Sequence, residues 1–173
     1  MKKSRIFTGV ISLVVLGFAV AMFVINTGVF SAQAKANVNI HVVEHAVTDT
    51  VGDVDNGTPS PDGLGNVLAF HNQVFDAADK KVVGVDNGQC TRTITSTTST
   101  SNDGVWECFW TVILPAGQIT VEGPFNDNFS DTILAITGGT GAYQDAHGQM
   151  RLHVHTIVNG VATEYDFFYQ VKM

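Results

Sequence analysis

LAITGGTGAYQDAHGQMRL, residues 134–152, is the stretch on which the fold turns. Apolar strand formers run into Gly138-Gly139-Thr140-Gly141, where glycine accepts positive φ without a steric penalty. Tyr143 follows, then Ala146-His147-Gly148, then a second alternating run from Met150. The pattern reads strand, tight turn, strand. It lacks the GK[ST] ending of a phosphate loop, so nucleotide binding is not implied.

Working outward, the chain beyond residue 35 shows no sustained helical period, and several segments alternate with period two. Val38, Ile40, Val42, Glu44 and Ala46 share one face of the first such segment. Leu68, Phe70, Asn72 and Val74 share a face in 67–76, and Trp106, Cys108, Trp110, Val112 and Leu114 share one in 105–114. Asn159-Gly160 is a type I′ hairpin signal. Pairing across it sets Val158 against Val161, Val154 against Tyr165, Leu152 against Phe167 and Met150 against Tyr169, an apolar inner face. The outer face then pairs His155 with Glu164 and His153 with Asp166. Short strands with turn signals between them predict an all-β protein, a single closed antiparallel barrel of about eight strands. Thr48 to Asn66 is too irregular for a strand and reads as a connection or a lid over one mouth.

The first 34 residues differ in composition from the rest. Lys2, Lys3 and Arg5 precede an almost uncharged apolar run to Phe30, and Ala32-Gln33-Ala34 offers a cleavage site. Residues 1–34 read as a signal peptide or, uncleaved, a membrane anchor, and residues 35–173 as one exported domain. All 16 acidic residues lie in that domain with six of the nine basic ones, a formal charge of about −10. Such a surface repels phosphate backbones and argues against nucleic-acid partners.

Export permits disulfides. A hairpin centred on Ser99 in the Ser/Thr-rich stretch 91–104 sets Cys90 opposite Cys108 and Arg92 opposite Trp106. Directly opposed residues lie within disulfide reach; the alternative is two free buried thiols.

Glu44 and Asn72 are polar residues at positions that alternation assigns to the interior. A buried carboxyl must find a partner or change its pKa. A register one residue off would turn Glu44 outward, and Asn72 could equally be a satisfied core amide. Phe70, Trp106, Trp110, Phe125, Tyr165, Phe167 and Tyr169 are candidate walls of an interior site, although core packing is the more common role for such residues.

The glycine-rich turn resembles that of the allene oxide cyclase and dirigent barrel proteins. The resemblance extends through NVLAFHNQVFDAADKKVVGVDNGQC (66–90), WECFWTVIL (106–114) and GQITVEGPF (117–125), covering nearly all of the chain after residue 37. It implies an interior pocket with Glu44 and Asn72 as polar groups, Cys90 as a pocket cysteine, and an unstable apolar substrate whose ring closure is steered by confinement. A carboxylate near a developing cation, and aromatic faces, would assist. Three departures stand against it. Ala46 replaces a family asparagine, Phe125 replaces the pocket tyrosine of a GPY motif, and either Pro59 or Pro61 could stand for the prolyl loop. Dirigent relatives steer radical coupling without performing the oxidation. Relatives are commonly trimers, which Val43 and Val47 on the outer face of the first strand would suit.

His153 and His155, with Glu164 and Asp166, could offer metal ligands, but an open face of cross-strand ion pairs is the better reading. Asp53, Asp55 and Asn56 fall short of a calcium loop because Leu64 stands where its glutamate belongs. No metal or cofactor is called for. The expectation is an exported barrel holding a small apolar reactive molecule, an isomerase or cyclase with Glu44 and Asn72 as catalytic groups. The alternative is a non-catalytic, dirigent-like steering protein.

Overall fold

The computed structural model describes residues 37–54, 63–98 and 101–173. Residues 1–34, expected to be a signal peptide or membrane anchor, lie outside the described residues, as do Asp55, Asn56, Pro59, Pro61 and the Ser99 hairpin tip. Nine strands follow in chain order: β1 (Asn37–His45), β2 (Thr50–Gly52), β3 (Val67–Asp76), β4 (Val82–Ile94), β5 (Val105–Leu114), β6 (Gly117–Asn126), β7 (Thr132–Gly139), β8 (His147–Val158) and β9 (Val161–Lys172). All pairings are antiparallel. Neighbours run from β3 through β9 to β1, and β1 returns to β3, which closes an eight-stranded barrel with β2 as an extra strand beside β3.

The closing seam is short. Only Val42–His45 of β1 pair with Gln73–Asp76 of β3. Past His45 the chain bulges outward and returns as β2, whose Thr50–Gly52 pair with Val67–Ala69. The expectation that 48–66 holds no strand is therefore corrected. Three of its residues extend the seam, because the edge of β3 beyond β1 would otherwise leave backbone groups unpaired.

The turn that opened the sequence reading is a 3₁₀ turn, Gly141–Tyr143, between β7 and β8. Gly141 has φ +63°, and a Cβ there would sit 2.6 Å from the Ala116 carbonyl. The Ala142 N–H donates to that same carbonyl at 2.8 Å. The glycine thus serves close backbone approach to the β5–β6 turn as well as positive φ.

Inward alternation delivers the core: Val42, Val74, Trp106, Trp110, Val112, Ile119, Val121, Leu134, Met150, Leu152, Phe167 and Tyr169 are all buried. Cys90 and Cys108 pair across β4 and β5 and form the disulfide. The last hairpin keeps the expected pairs Val154–Tyr165, Leu152–Phe167 and Met150–Tyr169, with two corrections. Glu164 faces Thr156, not His155, because His155 is an extra residue in β8 that Thr163 compensates in β9. The Thr156 hydroxyl donates to Glu164 at 2.5 Å, and His155 turns to Asp166 at 2.8 Å. Val158 and Val161 do pair, but they project past the barrel end and are half or more exposed.

Val43 is also corrected. It points outward yet is 1% exposed within the single chain. His41 and His45 flank it on β1, and Asp166 and Phe75 stand across from it. It offers nothing to a neighbouring subunit. Val47, at 82% exposed, is open.

Candidate functional site

β1 enters the barrel with Glu44 pointing inward, between Tyr165 of β9 and Val74 of β3. The carboxyl is 5% exposed. It lines a cavity of about 40 Å³ together with Asp49, Leu68, Phe70, Cys90, Trp110, Phe125, Leu152, Tyr165 and Phe167. That space holds only a few waters, so a guest larger than this must displace an aromatic wall. The rings meet edge-on or tilted: Phe70 and Trp110 at 6.1 Å, Trp110 and Phe167 at 5.5 Å, Phe125 and Tyr165 at 5.9 Å. Of the walls expected from sequence, Phe70, Trp110, Phe125, Tyr165 and Phe167 line the cavity. Trp106 does not. Its indole N–H donates to Asp127 at 3.0 Å, and the Arg92 guanidinium lies 4.0 Å over its ring. Tyr169 also sits apart, packed edge-on against Phe167 at 6.4 Å.

Asn72 is a satisfied amide with a structural task. Its side-chain N–H groups donate to Glu44 Oε1 and Asp49 Oδ1, both at 2.7 Å. Its carbonyl oxygen accepts the N–H groups of Val47 and Thr48 at 3.1 and 2.9 Å, with the Thr48 hydroxyl at 3.0 Å. One side chain therefore secures the bulge between β1 and β2, orients Glu44 and draws Asp49 to the cavity. It does not itself line the cavity.

The sequence reading missed Asp86. It stands opposite Asn72 on β4 and is 0% exposed. Its Oδ1 accepts the Asn72 backbone N–H at 3.3 Å, whereas Oδ2 has no donor. Burial pushes its pKa up to about 7, against the pull of that N–H and of Glu44. Burial likewise holds Glu44 well above the usual carboxylate range, reinforced by the charge of Asp86. The two carboxyls act on each other electrostatically, the charge of Asp86 raising the cost of ionising Glu44. Two buried carboxyls that oppose each other's ionisation favour a state in which one of them is protonated. Burial raises Asp49 too, opposed by the Asn72 amide. Tyr165 is held protonated by desolvation and by the Glu44 charge. The arrangement can donate a proton into an apolar cavity and can take one back.

Outside the barrel, His153 pairs with Asp131 at 2.6 Å and His155 with Asp166 at 2.8 Å, so the two histidines do not converge. Ligand atoms of His45, Asp79 and Glu164 do lie within 4.8 Å of one another, on this outer surface.

Residues 39–172 match the family described as allene oxide cyclase. The chain belongs to the allene oxide cyclase family. Among solved structures it resembles one titled pyocyanin demethylase, with 28% identity over 76% of this chain and 100% of that one, at a TM-score of 0.55. A pterocarpan synthase dirigent protein shares 16% identity over 84% and 93%, at 0.65. The Diels-Alderase AbmU from Streptomyces koyangensis shares 10% over 99% and 83%, at 0.57. The last two likenesses concern the fold. Ala46 and Phe125 bring no hydrogen-bonding side chain, while Asp49 and Asp86 supply two carboxyls beside Glu44.

Proposed function

We propose that this member of the allene oxide cyclase family is an isomerase or cyclase that holds a small, largely apolar, reactive molecule in its aromatic cavity and steers its ring closure. The observation that carries the reading is the Glu44 carboxyl, buried and lining a space walled by five aromatic residues, with the buried Asp86 raising its pKa. Confinement selects the reactive conformer. Exclusion of water protects the intermediate. Glu44 acts as a general acid towards an oxygen or nitrogen of the guest, and the ionised pair left behind stabilises the developing cation.

Glu44→Gln tests this, because glutamine keeps the shape and accepts the Asn72 bond but has no transferable proton. Wild-type protein and variant are incubated with an apolar extract of the host, and products are followed by mass spectrometry. A general acid predicts retained ligand and lost product. Unchanged product formation in the variant removes Glu44 from the chemistry. Ala46 and Phe125 favour a second reading, a dirigent-like protein that binds and orients without turnover. Under it, retained ligand leaves unaltered from wild type and variant alike. The 28% identity to a structure titled pyocyanin demethylase makes pyocyanin a sensible compound to include among the candidates. We further propose, on the composition of residues 1–34, that the barrel is exported; the intact mass of protein from its host tests cleavage after Ala34.

A further inference from the structure

The cavity is one-signed. Two of its lining residues are carboxyls, Glu44 and Asp49, and the buried Asp86, opposite Asn72 on β4, adds a third whose charge acts on Glu44. Among the described residues no lysine or arginine lines it. Arg92 is paired with Asp127 and spread over the Trp106 ring, and Arg151 pairs with Asp131 over Phe168 on the outer surface. Lys80 and Lys81 sit in the β3–β4 connection, and Lys172 ends β9. The remaining stretches after residue 36 contribute Asp55 and Asp62 and no basic residue.

An anionic guest would meet these carboxyls among largely buried apolar walls, where like charges repel more strongly and are less screened than in bulk water. It would find no cation to compensate. A cation would meet both the carboxyls and the faces of five aromatic rings, which attract positive charge through their quadrupoles. The walls also favour a flat guest, since only a ring system fits between tilted aromatic planes.

We propose that the natural ligand is a flat aromatic molecule carrying a cationic or proton-accepting ring nitrogen, placed against Glu44, and that carboxylate-bearing molecules are rejected. For a neutral base the step balances simply: the Glu44 O–H proton moves to the nitrogen lone pair, leaving a carboxylate beside the new cation. For a permanent cation no proton moves, and the negative charge of the pair is the counter-ion. The inference rests on the interior cavity being the ligand site, as proposed above.

Equilibrium dialysis of the full chain with three two-ring probes of matched shape separates the two claims: N-methylquinolinium, naphthalene and 2-naphthoate. The buffer contains about 0.5 M salt, which screens the net negative charge of the molecule but not contacts inside the cavity. The expected order is quinolinium tightest, naphthalene next and naphthoate weakest, with about tenfold or more between the charged probes. Glu44→Gln combined with Asp49→Asn should collapse that order while naphthalene still binds. Naphthalene binding with no preference between the charged probes overturns the charge inference and leaves the cavity reading standing. Failure of all three to bind overturns both. An order that persists in the double variant assigns the preference to charges elsewhere and also overturns the inference.

Discussion

Asp86→Asn should make the protein less sensitive to rising pH, by an amount that the burial of Asp86 sets. The asparagine has the same volume and can still accept the Asn72 N–H, but carries nothing to titrate. In the unfolded chain Asp86 ionises near 3.8, and in the barrel at about 7. Between those values the folded protein binds more protons than the unfolded chain, so unfolding releases protons and stability falls as pH rises. The contribution is fully present below 3.8 and gone above about 7. A span of about three pH units, at about 1.4 kcal/mol each, sets a ceiling of about 4 kcal/mol. Glu44 keeps its own share in the variant, because burial is the largest cause of its raised pKa. His155, raised by Asp166, and the lowered Asp131 are common to both proteins and cancel in the difference. Urea midpoints measured from about pH 4 to about pH 8 give the two curves. The variant should gain on wild type steadily across that range. Parallel curves would show that Asp86 is an ordinary paired carboxylate, and its raised pKa would have to be abandoned.

The other expectations concern the frame that holds the pair. Asn72→Leu should cost about 3 kcal/mol or more, since it strips the partners from Glu44, Asp49 and the Val47–Thr48 backbone; a melting temperature equal to or above that of wild type would refute the seam role. Gly88→Ala places a Cβ against the Phe70 ring and Trp110 Cβ, so it should destabilise by about 1–3 kcal/mol and weaken naphthalene binding. Normal binding and stability there would mean that the two walls yield freely. Reducing Cys90–Cys108, separated by 18 residues, removes roughly 3 kcal/mol by the chain-entropy argument, and the denatured, unreduced protein should titrate no free thiol.

Much of the barrel is legible in the sequence because a strand buried on one face repeats every second residue. That rule put Glu44, Asn72, Trp110 and Phe167 inside, and with Asn159-Gly160 it set the register of β8 and β9. It failed where the chain departs from the rule. The extra His155 and the compensating Thr163 shift partners over only part of the hairpin, so counting from the turn misassigns Glu164 while the pairs on either side stay correct. Nothing in local composition marks such a bulge. Burial of Val43 was equally out of reach, because an outward face says nothing about the size of the side chains flanking it.

The carboxyl pair shows a different limit. Asp86 could have been found by stepping back in twos from Cys90, through Gly88, along the inward face of β4. The step from a buried aspartate to a coupled carboxyl pair needs more, namely which groups meet across two seams. Asn72 stands opposite Asp86 on β4, and Glu44 stands opposite Val74, two residues further along β3. Three polar side chains from three strands are adjacent only because β1 returns to β3 and closes the barrel. The residue that secures this closure, Asn72, is also the one that orients Glu44. Loosening the seam should therefore impair proton donation before the barrel unfolds. An Asn72 variant that keeps most of its fold should bind naphthalene nearly as well as wild type while losing the preference for the cationic probe. If the preference survives with the seam loosened, Glu44 does not depend on Asn72 for its position, and the amide is there for the strands alone.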